Sequence, residues 1–591
     1  MTRAATTTRN ARNRPRSRRR VVVWVLVGVA VLLLFVVGWV GIRGFLAKGE
    51  LEAALPILVG VQQDAADGDF EGVQEAVAEV AEHTSAARSL TSDPVWGAAA
   101  VTPFAGANLH AFGEIAAITD TVVQGALAPA TSAGLLDASF LKPVDGRFDL
   151  SAVGELQSIF EGADAAMVDA SARLDALDTS GTIGPIQDAH TRVTDFVEPL
   201  VPLMAGADGL VKELPKLLGQ DGPRRYLVVF QNNAEARSLG GHAGSWLEVI
   251  VDDGRISLQQ QVNVDPLISS MPIIGLTAEQ VALFEGAGLR PSNTTIVPDL
   301  QLSAETAAAY WNNAFGTTPD AVFFQDPVAL GFFLQSTPPV TLPDGTVVDG
   351  TNAAAFLLNE VYLNYGTNEE QDAVFGYIVQ QLFASVTGGS FDPASFLAAA
   401  INAGEQHRLL AWFFDDSERE ALAGLPLDLP PLAYDEETAE FGLYFTENYG
   451  SKMLYYLDAT VELSQQVCGD SSRYRVRTTF TNLMTPDFGP LLPWYVGALQ
   501  DGKLRLRATL YAPPGSTFAS ASGWDADFTP VTATDGEHPA MVQRLTLGPG
   551  QSTTTEYIID GDDVDLARDL EAYVTPLARY TPVEVVEWPC G

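Results

Sequence analysis

The stretch RRYLVVFQNNAEARSLGGHAGSW, residues 224–246, joins a short apolar run to a dense group of polar residues. The run from Leu227 to Phe230 predicts a buried strand, because a short apolar run bounded by polar residues is typical of a strand covered on both faces. Carboxamides, a glutamate and an arginine follow it directly, and then the glycine pair Gly240 and Gly241. Such a cluster at a strand end either binds a ligand or builds an elaborate turn, and the residue types alone leave both readings open.

The N-terminus has a different composition from the rest of the chain. Residues 1–20 contain eight arginines and no acidic residue, and the 22 residues 21–42 contain no charge. A run of that length spans the hydrocarbon core of a bilayer, and no small-residue cleavage pattern ends it. The sequence therefore predicts a basic cytoplasmic tail (1–20), a transmembrane signal anchor (21–42) and an extracytoplasmic remainder, with the protein in the cell membrane.

The charge of the remaining chain restricts its partners. Residues 1–43 hold nine of the 34 basic residues and none of the 74 acidic ones, so the rest carries 25 basic residues and a net charge of about −49. Such a surface repels nucleic acid and anionic lipid head groups. We therefore expect no nucleic-acid partner, and an anionic ligand only at a local basic pocket.

The cysteine content points to an oxidising compartment. The chain has two cysteines, Cys468 and Cys590, and a pair in an exported protein favours a disulfide over two isolated buried thiols. The spacing of cysteines and histidines matches no zinc motif.

The patterning divides the exported part into three segments. Residues 44–215 are alanine-rich with apolar residues at helical spacing, which predicts a helical bundle or stalk. Residues 220–435 alternate strands and helices, which predicts an α/β head with a mixed sheet. Residues 440–591 alternate apolar and polar residues between turns, which predicts an immunoglobulin-like β-sandwich. The expected fold is thus multidomain: a membrane helix, a bundle, an α/β head and a sandwich.

Four motifs in order carry a resemblance to a known family. They are YLVVFQNNAEARSLGGHAGSW (226–246), the block that begins PDLQLSAETAAAYWNNAFG (298–357), EQHRLLAWFFDDSERE (405–420) and ENYGSKMLYYLDATVEL (447–463). Together they resemble a bacterial family of membrane-anchored proteins known only as a domain of unknown function, over roughly residues 50–590. The second block is also similar, more weakly, to the LytR-CpsA-Psr proteins. Those proteins transfer glycopolymers from a polyprenyl-pyrophosphate carrier to peptidoglycan, and their arginines hold the pyrophosphate beside carboxylates and Mg²⁺.

The weaker resemblance implies a ligand role for the opening stretch. Guanidinium forks and backbone amides match phosphate oxygens in geometry and charge, and Mg²⁺ takes hard oxygen ligands. In this interpretation Arg237 clamps phosphate, Glu235 and Asp326 bind Mg²⁺, and His242 acts as an acid or base. The candidate ligand-binding residues are Arg225, Asn232, Asn233, Glu235, Arg237, Gly240, Gly241, His242 and Asp326. In the alternative, Asn232 caps the strand, Glu235 and Arg237 form ion pairs, and the glycines make a tight turn.

Two functions are consistent with these expectations. The first is a cell-envelope enzyme or binding protein that transfers or holds a glycopolymer linked to polyprenyl pyrophosphate, with a lipid bilayer and a cell-wall polymer as partners. The second is a non-catalytic envelope scaffold or sensor that binds polysaccharide or a membrane protein. The sequence singles out no catalytic residue and leaves open whether the protein is an enzyme.

Overall fold

The computed structural model describes residues 17–66, 70–103, 105–132, 141–269, 273–285, 290–430, 432–435, 437–447, 449–468, 471–561 and 567–590. These residues form two compact units. The helical unit extends up to residue 136 and includes residues 159–204. The mixed unit comprises residues 137–158 and the chain from residue 205 onward.

Long helices account for most of the chain up to residue 217. Their bounds are α1 Ser17–Ala66, α2 Phe70–Thr91, α3 Pro94–Ala100, α4 Gly106–Val122, α5 Ala128–Ser132, α6 Leu150–Asp175, α7 Gly184–Val197 and α8 Leu200–Leu217. The apolar positions at helical spacing in α2 are buried as the pattern predicts, with Val73 and Val77 each 2% exposed. Ile118, Met167 and Val197 form part of the helical unit's core.

The prediction that residues 21–42 form a membrane-spanning helix is wrong. These residues belong to α1, which runs without a break from Ser17 to Ala66. Among the residues that the structure describes, no helix is long and apolar enough to cross a bilayer. The described part of α1 continues instead through the charged Arg43, Lys48 and Glu50 and packs Ala47 and Ala54 into the helical unit.

A five-stranded mixed sheet organises the first part of the mixed unit. Its strands are β1 Arg224–Arg237, β2 Gly240–Asp252, β3 Arg255–Asn263, β4 Ala321–Gln325 and β7 Leu409–Phe413, in the order β3-β2-β1-β4-β7. A small hairpin, β5 Val340–Thr341 and β6 Val347–Val348, lies outside this sheet. The apolar run in β1 buries Leu227 and Val229 completely, and β1 pairs with β2 antiparallel and with β4 parallel.

Helices connect these strands and cover the sheet. They are α9 Ala278–Phe284, α10 Leu300–Phe315, α11 Pro327–Leu334, α12 Ala353–Ala355, α13 Val361–Asn364, α14 Asn368–Thr387, α15 Pro393–Glu405 and α16 Asp416–Ala421. Asp326 caps the N-terminus of α11, and Thr367 caps α14 with a complete capping box. These caps satisfy backbone N–H groups that the first turn leaves without a helical partner, so they define where α11 and α14 begin.

Two five-stranded sheets form a β-sandwich in the last part of the chain. Their strands are β8 Thr438–Thr446, β9 Leu457–Cys468, β10 Ser471–Asn482, β11 Leu504–Tyr511, β12 Thr517–Ser522, β13 Val531–Asp535, β14 His538–Leu547, β15 Ser552–Asp560, β16 Asp569–Val574 and β17 Val583–Val585; a short helix, α17 Trp494–Gly497, precedes β11. The sheets face each other, since the rings of Phe441 in β8 and Tyr474 in β10 lie 5.4 Å apart.

The immunoglobulin-like part of the fold prediction is wrong. The described sheets have the orders β12-β15-β10-β9-β17 and β13-β14-β11-β8-β16. Each has a parallel strand at one edge, β17 beside β9 and β16 beside β8, whereas the immunoglobulin pattern is antiparallel with about seven to nine strands. The alternating pattern identified the strands but could not identify their partners, because alternation reports which face is buried and not which strand lies alongside.

The α/β part and the sandwich share one core. Ala236, near the end of β1, belongs to the same buried cluster as Phe441 and Leu510 of the sandwich. The backbone N–H of Glu447 donates to the carbonyl of Ala236 at 3.0 Å, and Thr575 Oγ1 donates to the carbonyl of Ser238 at 3.0 Å. The segments 220–435 and 440–591, expected as separate domains, therefore lie in one compact unit.

A disulfide ties the C-terminus to the sandwich. Cys468, the last residue of β9, is bonded to Cys590, and their Cα atoms are 5.9 Å apart. The segment between β16 and Cys590 runs along β9, where the N–H of Val461 donates to the carbonyl of Pro582 and that of Val586 to the carbonyl of Leu463.

We expect this disulfide to stabilise the mixed unit strongly. The bond closes a loop with a sequence separation of 122 residues, and restricting the unfolded chain to that extent is worth on the order of 2–5 kcal/mol. The double variant Cys468→Ser/Cys590→Ser should lower the free energy of unfolding by that amount in guanidinium titrations. The wild type in reducing agent should unfold at the midpoint of the variant, and an unchanged midpoint for both would contradict the expectation.

Candidate functional site

A wide irregularity in the β1–β2 hairpin brings Glu235 into the interior. Asn232 pairs with His242, but the next pair along the ladder joins Ala236 to Gly241. The three residues from Asn233 to Glu235 therefore have no opposite residue on β2. Extra residues on one strand bend it and re-aim its side chains, and here the Glu235 side chain lines a cavity.

Gly240 and Gly241 permit this close turn. A Cβ at Gly241 would lie 2.3 Å from the carbonyl oxygen of Asn232, and one at Gly240 would lie 2.8 Å from Oε1 of Gln231. Gly240 also has a φ of 137°, a conformation that only glycine adopts readily. The amide of Gly241 donates to Gln231 Oε1 at 2.9 Å. The glycine pair thus shapes the hairpin, and its amides do not form an open nest for phosphate.

The cavity lies between the sheet and the helices that cover it, and its volume is about 270 Å³. The sheet and the segment before β9 supply mainly polar side chains, and the helical elements supply most of the apolar ones. The polar group includes Gln231, Asn232, Glu235, His242, Gln261 and Lys452. The apolar group includes Leu330, Leu357, Phe375 and Val379.

A buried ion pair closes the inner end of this cavity. Lys452 Nζ donates to Glu235 Oε1 at 2.6 Å, and it also lies 4.6 Å from the centre of the Tyr362 ring. The Tyr362 hydroxyl accepts a hydrogen bond from Asn232 Nδ2 at 2.7 Å. Glu235 and Asn232 come from β1, Tyr362 from α13 and Lys452 from the segment before β9. The inner end is therefore assembled from three distant parts of the sequence.

Burial and charge set the protonation of this group. Burial alone would raise the pKa of the Glu235 carboxyl, but the surrounding charges, that of Lys452 foremost, hold this pKa below its ordinary value. Burial lowers the pKa of His242 to about 4, with Arg237 and Lys452 adding to the effect and Glu235 opposing it. At neutral pH the site thus contains a carboxylate, an ammonium and a neutral imidazole, and His242 can both donate and accept a hydrogen bond.

Arg237 braces the backbone. Its side chain is almost wholly buried, at 7% exposed. Nε donates to Asn293 Oδ1 at 3.0 Å, and Nη1 donates to the carbonyls of Ala236 and Glu447 at 2.9 and 3.0 Å. Burial lowers the pKa of this guanidinium, although Glu235 and Glu447 act in the other direction. The group that the sequence offered as a phosphate clamp instead joins the hairpin to the start of the sandwich.

Asp326 and Asn233 belong to a second buried network. Asp326 Oδ2 accepts from Arg408 Nη1 and from Asn233 Nδ2, each at 2.7 Å. Its Oδ1 accepts from the amide of Ala329 at 2.8 Å as the cap of α11. Asn233 Nδ2 also donates to the carbonyl of Pro576 at 2.8 Å. Both oxygens of Asp326 are therefore occupied within the protein.

Arg225 lies apart from the cavity. Its Nη1 is 3.1 Å from Glu248 Oε1 on β2, and its side chain is 39% exposed. Its backbone N–H donates to Asp320 Oδ2 at 2.7 Å. Of the nine candidate residues, Asn232, Glu235 and His242 line the cavity, while Arg225, Asn233, Arg237 and Asp326 make the structural contacts given above.

The carboxylates do not fit the expected magnesium site. Glu235 is paired with Lys452, and Asp326 with Arg408. Within the described ranges, no group of three or more His, Cys, Asp or Glu side chains is arranged to hold a metal ion. Each carboxylate thus already has a cationic partner within the protein, which weakens it as a ligand for Mg²⁺.

The outer part of the cavity adds negative charge. Asp265 and Asp372 line it, and Asn263 Nδ2 lies 3.4 Å from Asp372 Oδ2. Burial raises the pKa of Asp372, and Asp265 raises it further. The lining thus contains three carboxyl groups, counting Glu235, against the single ammonium of Lys452. This balance opposes an anionic ligand.

Residues distant in sequence from the opening stretch complete the site. Tyr362, Gln261 and Lys452 line the cavity, and none was a site candidate from the sequence. Lys452 lies in the fourth motif, 447–463. Its position directly before a buried strand was a usable signal, because a lysine that becomes buried needs a counter-ion. No comparable pattern marks Tyr362 or Gln261.

Comparison with known proteins identifies part of this region. Residues 221–362 match the model of a family described as "Protein of unknown function (DUF4012)". The match covers β1 to β6 and most of the helical segment that ends in α13. It supports the resemblance to a domain-of-unknown-function family, and it carries no LytR-CpsA-Psr signature. No curated protein and no solved structure matches the chain.

We expect Arg237 to matter for folding. Arg237→Met removes hydrogen bonds to buried carbonyls, each of which costs about 1–3 kcal/mol when left unsatisfied. The variant should lower the free energy of unfolding by about 3 kcal/mol or more in urea titrations. Arg225→Met on the same strand is the control and should cost within about 1 kcal/mol, since its ion pair is partly exposed. Equal stability of the two variants would contradict the bracing role.

The lowered pKa of His242 predicts acid sensitivity. As pH falls below 6.5, the ordinary value, the unfolded chain takes up a proton that the folded site accepts only near pH 4. Stability is therefore complete above pH 6.5 and falls by on the order of 2–3 kcal/mol between pH 7 and pH 4.5. His242→Gln should lose less stability than the wild type over this interval in parallel denaturant titrations. Equal losses would show that the imidazole titrates normally in the fold.

Proposed function

We propose that the mixed unit is a glycan-binding module and that its cavity holds one uncharged sugar unit. In this proposal the protein is a non-catalytic component of cell-envelope polysaccharide biology, outside the cytoplasm. The observation that carries the proposal is a small cavity rich in carboxamides, whose lining has no excess of positive charge. The disulfide adds support for the compartment, because such bonds persist in oxidising environments.

The hydrogen-bonding groups of the lining suit a ligand with many hydroxyls. Six carboxamide side chains line the cavity: Gln231, Asn232, Gln261, Asn263, Asn368 and Gln371. A carboxamide offers two N–H donors and a carbonyl acceptor. Gln261 Nε2 donates to Ser245 Oγ at 3.2 Å and Gln371 Nε2 to the carbonyl of Tyr365 at 2.8 Å, and each keeps a second N–H and its carbonyl for a hydroxyl. The aromatic rings of Phe230, Tyr362 and Phe375 also line the cavity and offer apolar surface to the C–H groups of a sugar ring.

Size and charge separate this proposal from the pyrophosphate alternative. Ligand pockets usually measure about 300–1,000 Å³, and this cavity of about 270 Å³ suits one sugar unit better than a carrier lipid. A pyrophosphate would meet Glu235, Asp265 and Asp372 around a single lysine. Arg237, the expected clamp, has its Nε and Nη1 groups bonded to protein oxygens.

Direct binding measurements test the proposal. Isothermal titration and saturation-transfer NMR of the full chain should detect at least one of glucose, galactose, mannose and N-acetylglucosamine. Inorganic pyrophosphate with Mg²⁺ should not bind. Gln261→Ala should weaken sugar binding roughly two- to tenfold through the loss of one hydrogen-bonding group.

The matched control is Gln260→Ala. Gln260 precedes Gln261 on β3, so its side chain points to the opposite face of the strand, and it does not line the cavity. This variant should bind sugar like the wild type. Binding of pyrophosphate without sugar would favour the carrier-lipid alternative, and no binding of any sugar in the panel would overturn the proposal.

A further inference from the structure

We infer that the sugar carries an acetamido group and that Val379 is one of the residues that select it. The inference rests on the proposed function and names the ligand class more narrowly. It starts from the division of the cavity into a polar side and an apolar end.

One face of α14 contains this division. Its cavity-lining residues are Asn368, Gln371, Asp372, Phe375 and Val379, and their spacing of three, one, three and four residues places them on a single helical stripe. The first three are polar and the last two are apolar. The change occurs within one turn, between Asp372 and Phe375, which is about 4.5 Å along the helix axis.

Neighbouring elements extend the apolar end. Leu330 of α11 and Leu357 also line the cavity and are only 4% and 1% exposed. The ring of Phe375 lies 6.1 Å from that of Tyr362, so the apolar end adjoins the wall formed by the tyrosine. Val379 is also buried, at 9% exposed.

An unmodified hexose fits this division poorly. Its hydroxyls point outward around the whole ring, and any that face Val379, Phe375 and Leu357 lose water without gaining a partner, which is costly. An acetamido group has both required parts, because its N–H and C=O can pair with carboxamides such as Gln371 while its methyl contacts the apolar end. An ammonium has no methyl for the apolar end, although the carboxyl groups of Asp265 and Asp372 attract its charge, so glucosamine separates the effect of charge from that of the methyl.

The experiment compares matched sugars on the full chain. N-acetylglucosamine should bind more tightly than glucose by about fourfold or more, the value expected for burying one methyl group. Glucosamine should bind less tightly than N-acetylglucosamine. The same order should hold for N-acetylgalactosamine, galactose and galactosamine.

Val379→Thr tests the residue with little change of shape, since it replaces a methyl by a hydroxyl. It should weaken N-acetylglucosamine binding about threefold or more and weaken glucose binding less, so that the preference for the acetamido sugar falls. Val347→Thr is the matched control, because Val347 is 47% exposed on β6 and does not line the cavity. The control should keep the wild-type preference.

The outcomes separate the two proposals. Equal binding of glucose and N-acetylglucosamine, or tighter binding of glucosamine than of N-acetylglucosamine, would overturn the acetamido inference and leave sugar binding intact. Equal weakening of both sugars by Val379→Thr would overturn the selective role of Val379. Failure of every sugar to bind would overturn both the inference and the function on which it rests.

Discussion

The contact between Glu235 and Lys452 is the constraint on which the site depends. It joins a carboxylate from the end of β1 to an ammonium from the entry to the sandwich, with 2.6 Å between Oε1 and Nζ. Both side chains are largely buried, at 10% and 15% exposed. Charges in such surroundings are tolerated only when paired, and loss of one partner leaves the other uncompensated. The pair therefore requires the α/β part and the sandwich to stay together.

The hairpin distortion makes this contact possible. In a regular strand the side chains alternate between the two faces of the sheet. The three unmatched residues of β1 interrupt this alternation, so the direction of the Glu235 side chain is not fixed by that of its neighbours. The glycine pair lets β2 approach the carbonyl of Asn232, and Arg237 ties the same turn to Glu447. Most of the polar residues in the opening stretch therefore hold the hairpin in a shape that presents Glu235, Asn232 and His242 to the cavity. Buried hydrogen bonds stabilise this distorted strand end.

The sequence predicted the elements better than their partners. The apolar run at 227–230 located β1, helical spacing located the helices within 44–215, and the alternation after residue 440 located the sandwich strands, because these patterns report which residues are buried. They did not reveal that the sandwich has parallel edge strands or that its core includes Ala236, since pairing is decided by contacts between distant segments. The expected membrane crossing at 21–42 was wrong for a related reason. Residues 21–42 lie in a helix that continues as far as Ala66, and among the described residues no helix is long and apolar enough to cross a bilayer.

By itself the sequence determined that the stretch 224–246 is a strand followed by an unusual polar turn, that the chain carries a large negative charge, and that its two cysteines can pair. These properties follow from residue types and their local order. Only the tertiary structure decided which polar groups line the cavity and which are bonded to other groups inside the protein. Arg237 and Asp326 are as polar as Glu235, but their partners Asn293, Glu447 and Arg408 come from distant segments. A side chain's availability to a ligand depends on which groups folding brings beside it, and composition cannot specify those neighbours.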